Sequence, residues 1–101
     1  MQDENNVLER QRGKIRARVL SDKYGLQEYE GVTAIRVHSR DYNLLMMEDY
    51  APTLGKVDGS VYILTRDTEE TLRDVHGFYK LQSNLFVLVL DKMASEEEKK
   101  A

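Results

Sequence analysis

The chain has 101 residues, 41% hydrophobic and 33% charged, with a formal net charge of −3 and no cysteine. That length gives room for one domain, and the apolar content argues against global disorder. The near balance of charge supplies no general attraction for nucleic acid or anionic lipid, and the missing cysteine excludes disulfides and thiolate-ligated metals.

Residues 1–13 are polar, with Val7 and Leu8 as the apolar pair beyond the initiator. Asn5 and Asn6 could cap a short helix ending near Gly13, or the segment is a frayed lead-in. No signal-peptide core is present there. The longest apolar run, Leu85 to Leu90, is six residues, far short of the ~20 that a membrane helix needs. A cytoplasmic location without direct membrane insertion is the resulting expectation.

From Lys14 onward the pattern reads as strands. Ile15, Ala17 and Val19 alternate with Arg16 and Arg18, a period of two with one dry and one wet face. Ile35 and Val37 repeat this against Arg36 and His38, and Val57, Val61 and Ile63 continue it. Asp58-Gly59 reads as a turn or bulge within that run. Thr68 to Arg73 has local helical character, but its neighbours favour an exposed hairpin arm. Val75, Gly77, Tyr79 and Leu81 alternate with His76, Phe78 and Lys80, and Ser83-Asn84 turns into Leu85–Leu90. That last segment is apolar on both faces, which predicts a central strand or one covered on its outer side. Short strands with turns at DKYG, SRDYN and QSN suggest an antiparallel sandwich or barrel over residues 14–92. Residues 93–101 read as a charged, solvated tail.

The sequence carries no Gly-rich phosphate loop and none of the common hydrolase, zinc-protease or EF-hand patterns. No cofactor and no catalytic residue is expected. His38 and His76 sit on wet strand faces, where surface histidine is the ordinary reading beside a metal site with Asp41 or Asp74. The acidic neighbours Glu48-Asp49 and Glu69-Glu70 point to opposite strand faces and so form no dyads. Arg16 and Arg18 could meet Arg36 as a small basic patch. The run Leu44-Leu45-Met46-Met47 places two apolar residues outside the core unless something covers them. A protein partner or an extra layer of the domain would do so, and methionines suit an adaptable contact surface.

Four stretches, in order, resemble the epsilon subunit of F-type ATP synthase. They are IRARVLSDKYGLQEYEGVTAI (Ile15 to Ile35), IRVHSRDYNLLMMEDYAP (Ile35 to Pro52), LGKVDGSVYIL (Leu54 to Leu64) and DVHGFYKLQSNLFVLVLDK (Asp74 to Lys92). Tyr50 stands before Ala51-Pro52 where that family usually has histidine, and Tyr42 and Leu45 replace its loop glycines. The resemblance implies an all-β, ten-stranded antiparallel sandwich. It also implies a non-catalytic stalk role, contacting the gamma subunit and the c-ring of a proton-translocating enzyme peripheral to the membrane. By position, the ring-facing loop would be Ser39, Arg40, Asp41, Tyr42 and Asn43; with the apolar run after it, the candidate partner contacts extend to Leu44, Met46, Met47 and Tyr50. The alternative is a stand-alone adaptor that keeps the fold without the ATP synthase.

In that family nucleotide sensing belongs to a C-terminal helical hairpin, to which no part of residues 14–101 is similar. Titration calorimetry with Mg-ATP should accordingly show no binding tighter than about millimolar, roughly −4 kcal/mol. A saturable micromolar isotherm would reveal a nucleotide site in the domain.

Overall fold

The computed structural model describes residues 13–93. The helix or lead-in expected over residues 1–13 lies, Gly13 apart, outside the described residues, as does nearly all of the expected tail. Alternation becomes strand wherever the sequence predicts it. The six strands are β1 (Ile15–Ser21), β2 (Gly25–Ser39), β3 (Asn43–Met47), β4 (Thr53–Thr65), β5 (Glu69–Gln82) and β6 (Leu85–Met93). The fold is all-β. No helix among the described residues is long and apolar enough to cross a membrane.

The architecture is a closed five-stranded barrel with β3 added, not a ten-stranded sandwich. Around the barrel the strands run β1-β6-β5-β4-β2 and return to β1, while β3 pairs with β2. Every pairing is antiparallel except β1 with β6, which is parallel from Arg16↔Leu85 to Leu20↔Val89. The parallel pair follows from the odd strand count. In a meander of five, the first and last strands point the same way, so a sheet closing on itself must join them in parallel.

Closure needs curvature, which the sequence supplies at irregularities. Opposite Arg16, β2 carries the extra residue around Gly31, whose φ is 69°, a backbone region that glycine enters without Cβ strain. A second shift between Val32 and Ala34 lets β2 leave β1 and pair with β4. It also switches parity, so that the neighbours Ala34 and Ile35 are both buried. On β5, Arg73 and Asp74 together oppose the single residue Ser60, and Asp74 has φ 55°. Asp58-Gly59 itself is neither a turn nor the bulged segment: both residues run straight through β4. Gly59 is needed there because a Cβ would stand 2.2 Å from the His38 carbonyl oxygen of the neighbouring strand.

The hairpins obey turn chemistry. Ser83 and Asn84 have φ of 51° and 62°, and Gln82 faces Leu85, which is a two-residue turn of the type that follows strand twist. Gly25, at φ 67°, closes the Asp22–Tyr24 turn. Thr65 and Thr68 close the β4–β5 arm by backbone and hydroxyl bonds. The stretch from Thr68 to Arg73 is thus the hairpin arm and forms no helix.

Ile15, Val19, Ile35, Ile63, Leu81, Phe86 and Leu88 fill the barrel, all fully or almost fully buried. At one end Tyr79 leans across Gly55, where a Cβ would collide with its ring. Its hydroxyl lies 2.9 Å from that of Tyr42, which in turn donates to the Lys56 carbonyl. Burial first, then the bond with Tyr42, raise the Tyr79 pKa well above its ordinary value. Burial, with Glu70 nearby, raises Tyr29 as well. A phenol whose pKa rises on folding adds stability that is complete below the unfolded value of about 10 and lost as pH climbs toward the folded value. The melting temperature should therefore drop above about pH 10, less steeply in Tyr79→Phe. An identical slope in the variant would contradict the assignment.

Candidate functional site: the outer wall of β1, β6 and β5

The expected contact residues do not form one surface. Ser39 ends β2 buried, and its hydroxyl accepts from the Asp58 amide at 2.9 Å. Its own amide donates to the Tyr42 carbonyl at 2.8 Å, closing the turn. Arg40 is exposed and pairs with Asp58 at 3.2 Å, while the other oxygen of that carboxylate meets His76 Nε2 at 2.8 Å. Asp41 and Asn43 are exposed at the turn. Tyr42 spends its hydroxyl on Lys56 and Tyr79, so it is a structural clasp as much as a surface group.

Along β3, Leu44 packs against the core and Met46 is completely buried. Met46 is therefore corrected from a contact residue to a core residue: the strand's alternation points it inward opposite Ile35. Met47, at 56%, and Leu45 lie outside, and Tyr50 is exposed in the following loop. That loop is tied to the barrel by Glu48, which accepts from the Lys14 amide, and by Asp49, which meets Lys14 and Asn84. The barrel covers the inward pair, Leu44 and Met46, while among the described residues the outward pair, Leu45 and Met47, is exposed.

The histidines are held apart, His38 on β2 and His76 on β5 with β4 between them. Among the described residues no three His, Asp or Glu side chains are grouped to hold a metal. Arg36 stands between Leu45 and Tyr62, on the part of β2 that has left β1. The patch of Arg16, Arg18 and Arg36 therefore does not form.

A different surface does form. Cross-strand register places Leu26 beside Leu20, Leu20 beside Val89, and Val89 beside Phe78. These four large apolar side chains form a continuous row over β2, β1, β6 and β5, and each is between 43% and 55% exposed. Lys56 caps the row, its ammonium 5.9 Å from the centre of the Phe78 ring. From Val89 the outer face of β6 continues through half-buried Val87 and Leu85. Two shallow depressions follow this strand. One, of about 490 Å³, is lined by Leu20, Leu26, Val89 and the adjoining turn. The other, of about 360 Å³, lies between Arg16 and Lys80 over Leu85 and Val87.

The two-sided character of Leu85–Leu90 is the sequence signal for this wall. Leu20 and Phe78 carry a weaker one, since each is a large apolar residue at a wet position of its strand. Nothing local in the sequence aligns them with Val89; only strand register does. No protein-family model and no curated protein matches the chain.

The burial of Met46 against the exposure of Met47 separates the two readings of β3. Met46→Ala should cost about 2–5 kcal/mol in urea unfolding, and Met47→Ala should stay within about 0.5 kcal/mol. Equal losses would mean that Met47 is covered within the domain.

Proposed function

We propose that this chain is a non-catalytic protein-binding module, an adaptor that docks a partner on the outer wall of β1, β6 and β5. The observation that carries the reading is the row Leu26–Leu20–Val89–Phe78. A barrel already buries its apolar residues on the inside, so a second aligned apolar surface outside marks a site for interaction. Its side chains stand on paired strands, which hold them fixed before a partner arrives and reduce the entropy cost of docking. The Ser39, Asp58 and His76 cluster fits this reading better than a hydrolytic one. The serine hydroxyl is engaged with the Asp58 backbone, and the carboxylate is shared between Arg40 and His76.

The stalk-subunit reading, with contacts to gamma and the c-ring of an ATP synthase, rests on the order of motifs alone. The sandwich it implied is replaced by a barrel, so the adaptor is the reading put forward.

Site-specific photo-crosslinking in the native cell tests it. Phe78→benzoylphenylalanine should give a discrete protein adduct that the same probe at Arg36 does not, and Leu20→Asp should abolish it. Adducts at Arg36 alone, or none at Phe78, would overturn the assignment of the wall. Identification of gamma or c subunits in the Phe78 adduct would return the stalk reading.

A further inference from the structure

The wall is zoned by charge, and the zoning specifies the partner. Around Val89 the outer residues are apolar: Leu26, Leu20 and Phe78. Around Val87 and Leu85 they are basic and polar. Arg18 and Lys80 flank Val87, and Arg16 and Gln82 flank Leu85. Arg16, Arg18 and Lys80 are all exposed, and Arg18 is partly neutralised by Glu28 at 3.1 Å. Glu28 and Glu30 face Arg18 and Arg16 from β2, and Asp22 and Asp91 lie at the apolar end, but no carboxylate lines the depression between Arg16 and Lys80. This cationic end belongs to a chain of net charge −3.

We infer, on the basis of the adaptor reading, that the wall takes an acidic amphipathic helix. Its large apolar side chains would enter the depression at Leu20, Leu26 and Val89, and its carboxylates the one between Arg16 and Lys80. Neither outcome of β-strand addition applies, because β1, β6 and β5 each have both edges paired; an occupant must lie on the face, as helices do on sheets. Val89 and Leu85 are four residues apart, about 13 Å along a strand. On a helix rising 1.5 Å per residue, that separates apolar anchors from carboxylates by about nine residues.

The probe is a labelled, alanine-based 16-residue peptide with leucine at positions 3, 4 and 7 and glutamate at positions 11, 14 and 15. It is titrated into the full chain by fluorescence anisotropy at low salt. The glutamate peptide should bind at least tenfold more tightly than the same peptide with lysines, and the difference should shrink as salt rises. The double variant Arg16→Glu, Lys80→Glu should reverse the preference, with circular dichroism confirming that the barrel persists. Val89→Asp should weaken both peptides. Equal binding of the two peptides, lost in Val89→Asp, would overturn the acidic partner while leaving the adaptor reading in place. Binding that survives Val89→Asp would overturn both. A dimer of the full chain that Val89→Asp dissolves, seen by sedimentation, would assign the wall to a second copy and overturn the inference.

Discussion

The parallel pairing of β1 with β6 is the constraint on which the rest of the molecule depends. Five strands in a meander leave the first and last unpaired, and an open sheet would present both as edges. Joining Arg16–Leu20 to Leu85–Val89 removes those edges and encloses Ile15, Val19, Phe86 and Leu88 in one core. The closure demands a strongly bent β2, which Gly31 and the irregular pairing at Thr33 provide, and a bent β5, which Asp74 provides. The chain has no cysteine, and among the described residues the seam is held by backbone hydrogen bonds and by this packing.

The same seam creates the outer wall. Leu20 and Val89 meet only because β1 and β6 are in that register, and Leu26 and Phe78 extend the row through the antiparallel neighbours. β6 is apolar on both faces for two reasons. Phe86, Leu88 and Leu90 fill the barrel, whereas Leu85, Val87 and Val89 line its exterior. Fold and proposed function therefore share one strand, and substitutions on its inner and outer faces should separate stability from binding.

Local structure was legible in the sequence because period-two alternation and turn residues act over a few positions. Ile15, Ala17 and Val19 point inward as their spacing requires, and Ser83-Asn84 turns where expected. The architecture was less legible. A sandwich and a barrel place the same alternation on each strand, and they differ in which distant strands pair. β2 and β5 proved long because bulges and parity switches divide each into two readable pieces. Similarity of motif order to a sandwich-forming family carried no information on closure. At the site, Met46 and Met47 are indistinguishable by composition, and register alone sends one into the core. Tyr42 looked like a loop surface residue because its bonds to Lys56 and Tyr79 span residues remote in sequence.

The account stands most directly on the β1–β6 seam, which cross-strand nuclear Overhauser effects between backbone protons would test. Contacts in the parallel register, Arg16 with Leu85, Arg18 with Val87 and Leu20 with Val89, are the predicted result. Antiparallel contacts between these segments, or none alongside rapidly exchanging amides in Ile15–Leu20, would contradict both the closed barrel and the wall built upon it.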